Sequence, residues 1–285
     1  MIIDGRKIAQ EILDNLAKHV DQLKEKNITP HLHIITLTTD SASEAYVGQK
    51  EIKGEQIGAQ ITIENLNPAT PEDVLLEKIA KLNSDSNVHG IIIQRPFSPH
   101  INEDKIANSI NPDKDVDGFH PDSKFSPPIS EAVLKVLQFV KSTSEVGEAD
   151  TSEVNAWLKN KKIAVIGRGV TAGNPVIKTL QKIEIEPEII TSQTQNKEEI
   201  LKNSDILIGA VGKSDVIEAK NLKKGVILIG VGMFRGDDGK FHSDYDEEDI
   251  KDIASFYTPT PGGVGPVNVA MLLTNLVKAT ENQLS

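Results

Sequence analysis

The segment GRGVTAGNP follows directly on the apolar stretch KKIAVIG and leads into an apolar-periodic, helix-like pattern. A glycine carries no Cβ, so a loop of this kind lets backbone N–H groups close on a phosphate at a helix N-terminus. Gly167, Gly169 and Gly173 are the candidates, and the ligand expected is a dinucleotide. Their spacing, G-x-G-x-x-x-G, is one residue longer than the common fingerprint, and the competing reading is a tight strand-to-helix turn that binds nothing. The next strand ends in ITSQT, without the carboxylate that an NAD enzyme uses to accept from the ribose hydroxyls. With Arg168 in the glycine loop, and Ser192 and Thr194 able to donate at that tip, a 2′-phosphate is tolerated and partly neutralised. The cofactor expected is therefore NADP.

A second set of reactive types lies in the first half. Tyr46 and Lys50 stand four residues apart, so on a helix the phenol and the ammonium project from one face within reach of each other. Gln94 closes the apolar run GIIIQ at the carboxyl end of a strand, where the ligands of parallel sheets gather, and Asp115-Val116-Asp117-Gly118 follows a helix nearby. The plain alternative for the Tyr/Lys pair is a solvated helix face. His31 and His33 alternate on a strand, and no histidine has metal-ligand spacing, so no metal is assigned.

The elements that must position these residues can be read from periodicity. Ile8, Ile12, Leu13, Leu16, Val20 and Leu23 predict an amphipathic helix over 4–24. HLHIITLTT reads as a strand, TDSASEAY as a polar loop, and the stretch through Ile57 as a helix. ITIENL, a helix opened by Pro71-Glu72-Asp73, and the strand GIIIQ repeat the unit. Strands alternating with helices imply right-handed crossovers and a mainly parallel sheet. AVLKVLQFV is helical, the polar stretch from Ser142 to Ser152 interrupts it, and IAVIG, PEIIT, ILIGA and VILIGVG then predict a second sheet of dinucleotide-binding type. A last helix is expected over 268–280, returning to the first domain.

With 285 residues the chain exceeds the usual single-domain size, so the fold expected is two-domain α/β, an N-terminal parallel α/β domain and a C-terminal Rossmann-like domain with a cleft between them. The boundaries are drawn at 1–140 plus 268–285 and at 141–267. A net charge of −11 argues against nucleic-acid and anionic-membrane partners, because phosphates would be repelled. Cysteine is absent, which excludes disulfides and thiolate ligands. No apolar run of signal-peptide or membrane-spanning length is found, and a cytoplasmic protein is expected.

Taken in order, SASEAYVGQK, GIIIQRPFSPHI, NPDKDVDGFHP, GRGVTAGNP and TPTPGGVGPVNVAMLLTN resemble the bifunctional methylenetetrahydrofolate dehydrogenase/methenyltetrahydrofolate cyclohydrolase family, from Met1 to about Thr280. The resemblance implies a homodimer with a tetrahydrofolate substrate in the cleft and NADP on the Rossmann-like half. It gives Lys50 the place of the catalytic lysine and Tyr46 that of the tyrosine stacking on the folate. Gln94 takes the place of the glutamine that holds the lysine, and Asp117 that of the carboxylate gripping the pteridine. Ser43 matches the serine before the YVxxK motif, Arg168 and Ser192 match cofactor-phosphate contacts, and Gly262 and Gly263 match a glycine pair beside the folate.

These types suit the implied reaction. Hydride leaves the methylene carbon for the nicotinamide, and water then attacks the delocalised cation that remains. A lysine in a partly dry, cationic site is neutral often enough to assist proton transfer, and a glutamine positions it without adding charge. A carboxylate accepts two parallel hydrogen bonds and so fixes the pteridine. The chain departs from the family pattern at four places: KFSPPIS stands where a PCTP-type motif is usual, Gly230 where the strand commonly ends in an acid, Thr191 where NADP-using members often carry histidine, and Arg95 where an apolar residue follows the glutamine. The competing readings are a cyclohydrolase alone, a folate- or nucleotide-binding protein without turnover, and an unrelated Rossmann-like protein.

Overall fold

Strand and helix alternate through most of this computed structural model, which describes residues 1–37, 41–144 and 149–284. Two compact units result, Met1–Ala9 with Ile129–Asn268, and Gln10–Pro128 with Val269–Ser285. The boundary read from sequence lay near 140 instead. The helix over 128–144 is amphipathic, and Ala132, Val133, Val136, Leu137 and Val140 bury one face of it.

The unit containing Gln10–Pro128 is built on three short parallel strands. Helix α1 (Gly5–Glu25) leads to β1 (His31–Thr36), α2 (Ser41–Gln56), β2 (Gln60–Asn65), α3 (Glu72–Ser84), β3 (Gly90–Gln94) and α4 (Glu103–Ser109). The strand order is β2-β1-β3, with Thr36 in register with Gln94 at the carboxyl ends. Consecutive strands thus lie on opposite sides of β1, which opens a crevice at those ends where ligands of parallel sheets bind. Strand β3 is fully buried from Gly90 to Ile93, and Ile35, Leu75, Ile79, Ile91 and Ile106 close the core around it. Helix α2 begins at Ser41, so part of the segment read as a polar loop is already helical; Thr38 and Thr39 of the expected strand, with Asp40 of that loop, lie outside the described residues.

The other unit runs α5 (Pro128–Ser144), α6 (Thr151–Lys159), β4 (Ile163–Ile166), α7 (Gly173–Lys182), β5 (Glu188–Ile190), α8 (Lys197–Asn203), β6 (Ile206–Gly209), β7 (Ile227–Gly230), β8 (Met233–Arg235), β9 (Phe241–Ser243), α9 (Glu247–Ile250) and β10 (Phe256–Tyr257). Its main sheet is parallel, in the order β10-β7-β6-β4-β5, and β8 with β9 forms a separate antiparallel hairpin. Asp150 and Glu153 form a reciprocal capping box that starts α6. The last helix, α10 (Val264–Asn282), starts four residues before the predicted 268. Pro266 is compatible with that start, because an N–H in the first turn has no intrahelical partner to lose. Among the described residues no helix is long and apolar enough to cross a membrane.

Candidate active site

In the three-stranded unit, α2 carries Ser43, Tyr46 and Lys50 at i, i+3 and i+7, so the three share one face. Lys50 is buried, with 4% of its surface exposed, and its ammonium donates to Gln94 Oε1 at 2.8 Å. Gln94 in turn donates from Nε2 to the carbonyl of Arg95 at 2.8 Å, which fixes the amide so that its oxygen faces the lysine. The Tyr46 ring lies 5.1 Å from Lys50 Nζ, and Ser43 and Tyr46 are both half-buried. Burial drives the Lys50 pKa below the usual lysine value, opposed by the negative charge of Asp117. Burial likewise pushes Asp117 above the usual aspartate range, with Lys50 and Arg95 pulling it back. The two groups form one electrostatic unit, each favouring the charged form of the other against the cost of burial.

The loop bearing Asp117 is held from both sides. Asp115 is buried and accepts from the backbone N–H of His120 at 2.7 Å and of Gly118 at 3.2 Å, so it shapes the turn. Asn275 on α10 donates to the carbonyls of Val116 at 2.9 Å and Ser126 at 3.0 Å, tying the segment KFSPPIS to the Asp117 loop.

In the other unit, the glycine loop leaves the end of β4, where β5 and β6 flank it on opposite sides. This is the switch point at which doubly wound sheets take dinucleotides. Gly167 has φ +93°, and a Cβ on Gly173 would lie 2.2 Å from Gly167 O, so α7 can begin against the loop only with glycine there. A Cβ on Gly169 would meet nothing within 4 Å, which leaves that backbone open to a ligand. Arg168 and Ser192 are exposed, and the tip of β5 holds no acid. Thr194 Oγ1 accepts from the N–H of Thr191 at 3.0 Å, so this side chain braces the turn around Ser192. The residues present fit an NADP molecule: open backbone for the pyrophosphate, with a guanidinium and a hydroxyl for an added phosphate.

Gly262 has φ +116° and lies against the Arg6 guanidinium, and both Gly262 and Gly263 are buried. Their loop is anchored at Thr258, whose carbonyl accepts from Tyr245 OH at 2.6 Å and whose hydroxyl accepts from the N–H of Gly230 at 2.7 Å.

The sequence profile of the tetrahydrofolate dehydrogenase/cyclohydrolase catalytic domain matches residues 3–117, and that of the NAD(P)-binding domain of the same enzymes matches residues 150–284. The chain belongs to the tetrahydrofolate dehydrogenase/cyclohydrolase family. The bifunctional protein FolD of Ligilactobacillus salivarius is 36% identical over 290 residues, covering 100% of this chain and 98% of that protein. The crystal structure of the bifunctional FolD enzyme of Campylobacter jejuni superposes with a TM-score of 0.90 at 32% identity, covering 99% of each chain. The Trypanosoma brucei dehydrogenase-cyclohydrolase, solved with NADP and an inhibitor, gives a TM-score of 0.87 at 26% identity, covering 100% of this chain and 98% of that one.

Within this family pattern, the departure at Gly230 has a local cause. A Cβ there would lie 2.3 Å from Ser243 Oγ and 3.1 Å from Tyr245 OH, so side chains from the neighbouring segment fill the space an acid would take. Sequence reasoning missed Asp244. It is fully buried, and its carboxylate accepts the N–H groups of Val211 at 3.0 Å, Gly212 at 2.6 Å and Lys213 at 3.0 Å, fixing the loop that follows β6. Nothing in the acid-rich run SDYDEED singles out this residue.

Proposed function

We propose that this chain oxidises 5,10-methylenetetrahydrofolate to 5,10-methenyltetrahydrofolate with NADP and hydrolyses the product to 10-formyltetrahydrofolate. The observation that carries the reading is the buried Lys50 amine, held at 2.8 Å by Gln94 and electrostatically coupled to Asp117. NADP, when bound, supplies the acceptor for the hydride. Asp117 accepts two N–H groups of the pteridine, Tyr46 stacks on the ring and Ser43 lines the same face of α2, so the one-carbon unit is held still relative to the lysine. Lys50, neutral part of the time because its charge is poorly solvated, takes a proton from the water that attacks the methenyl carbon. Collapse of the resulting hydroxyl adduct breaks the bond from that carbon to N5 of the folate, N5 takes up the hydroxyl proton, and Lys50 gives its own proton to solvent. Gln94 keeps the amine aimed without adding a charge that would hold its proton in place.

Gly167, Arg168, Gly169, Gly173, Ser192 and Thr194 form the cofactor side in this reading, and Gly262 and Gly263 the close approach to the folate. The resemblance to the bifunctional family supports a homodimer and a place in the cytoplasm, and a net charge of −11 supports small-molecule partners over nucleic acid.

The test is a spectrophotometric assay of the purified chain with 5,10-methylenetetrahydrofolate and NADP, then NAD, beside a separate trace of methenyl hydrolysis. NADP reduction together with hydrolysis that Lys50→Ala abolishes is the expected result. Hydrolysis without reduction would leave a cyclohydrolase alone, and folate binding without either would overturn the enzymatic reading.

A further inference from the structure

Arg95 occupies a place where a hydrophobic side chain would be cheaper. Its side chain is only 12% exposed, and the guanidinium carbon lies 4.8 Å from the Phe97 ring centroid and 4.5 Å from that of Phe119. Burying a charge costs free energy unless something compensates, so a cation kept in this setting calls for a reason. A guanidinium suits the setting better than an ammonium, being planar, weakly hydrated and permanently charged. Its position supplies the reason: Arg95 lines the same small cavity as Asp117, together with Ile91, Ile93 and Phe119.

We propose that Arg95 is a positioning residue of the folate site, a fixed counter-charge that lets Asp117 remain a carboxylate while Lys50 is neutral. The inference rests on the activity proposed above. If Lys50 were the sole cation facing Asp117, the two protonation states would be tied together: once Lys50 lost its proton, a buried carboxylate without a partner would take one up. It would then be unable to accept two N–H groups from the pteridine. Arg95 breaks that tie because a guanidinium is a cation whatever the state of the lysine. Among the described residues, Lys50 from α2, Arg95 just after β3 and Asp115 on its own loop act on the charge of Asp117, and Glu103 on α4 acts on it through Arg95. Glu103 pairs with Arg95, but 48% of its side chain is exposed, so water screens it more than it screens the half-buried Asp117. Asp115 spends its oxygens on the backbone of its own turn.

The test is the pH profile of kcat/KM for methenyl hydrolysis in the wild-type chain, Arg95→Leu, Arg95→Lys and Glu103→Gln. In turnover that limb also carries Lys50, so for Arg95→Leu the acid limb is expected to move to higher pH by on the order of one unit in binding as well as in turnover. Arg95→Lys should restore it, and Glu103→Gln, which leaves the guanidinium less compensated, should move it the other way. Calorimetric binding of 5-formyltetrahydrofolate over the same pH range gives the same readout without turnover. A wild-type chain that binds but does not turn over would sink the activity, while the binding limb still decides the role of Arg95. An acid limb that stays in place in Arg95→Leu, with rate or affinity lowered equally at every pH, would reduce Arg95 to a packing residue.

Discussion

Lys50 Nζ and Gln94 Oε1 meet at 2.8 Å, one side chain from the middle of α2 and the other from the last residue of β3. The strand ends where the helix face passes, so a neutral acceptor confronts a buried amine whose charge is already disfavoured. Exchanging that acceptor for a carboxylate would change the proton affinity of the lysine more than its position. Gln94→Glu should therefore raise the Lys50 pKa, lower hydrolysis at neutral pH by about tenfold or more, and regain rate as pH rises. Gln94→Ala should lose activity without that recovery, because the amine then lacks its positioning bond. A pH–rate series on both variants decides the matter; identical profiles would exclude an electrostatic link.

Glycines of the cofactor loop divide into two kinds, and substitution separates them. Gly173→Ala pushes a methyl group into the carbonyl of Gly167, so both thermal stability and NADP affinity should fall. Gly169→Ala meets no protein atom within 4 Å. Its stability should stay within about 0.5 kcal/mol of wild type while NADP affinity drops by about tenfold, since the methyl group occupies the approach of the phosphate. Thermal melts paired with calorimetric NADP titration read both effects. Undiminished binding by Gly169→Ala would place the pyrophosphate elsewhere.

Local periodicity made most of this fold legible. The run GIIIQ announces a buried strand with a polar residue at its end, and the spacing of Tyr46 and Lys50 requires only a helix to bring them onto one face. Residues whose roles depend on distant backbone were not legible. Asp244 acts on N–H groups more than thirty positions earlier, and Tyr245 and Ser243 fill the place that makes Gly230 tolerable; none of these contacts leaves a trace in sequence spacing. Arg95 was visible only as a departure from the family pattern, because its meaning lies in Phe97, Phe119 and Asp117 around it. The start of α10 was misplaced for a related reason: glycines and prolines that read as a turn also fit the first turn of a helix.

At the amino end of the three-stranded sheet, away from the carboxyl-end site, histidines make folding sensitive to acid. His89 Nδ1 accepts from the backbone N–H of His31 at 3.1 Å, a bond that exists only while that nitrogen is unprotonated. His31 Nδ1 lies 3.0 Å from the carbonyl of Asn87, and its Nε2 lies 2.9 Å from Thr62 Oγ1. Burial holds both histidines below the ordinary value of 6.5, with His33 adding to the effect at His31, and His31 and Lys114 adding to it at His89; Asp85 opposes at both, and the Asn87 carbonyl at His31. The folded pKa values lie under the unfolded ones, so the unfolded chain binds protons first as pH falls. Stability is complete above 6.5 and is lost as pH drops from there through the folded values. Chemical denaturation at about pH 7.5 and about pH 5 should show the wild-type midpoint falling, and His89→Gln, which keeps an acceptor that does not titrate in this range, falling less. Equal losses in the two proteins would move the acid sensitivity away from His89.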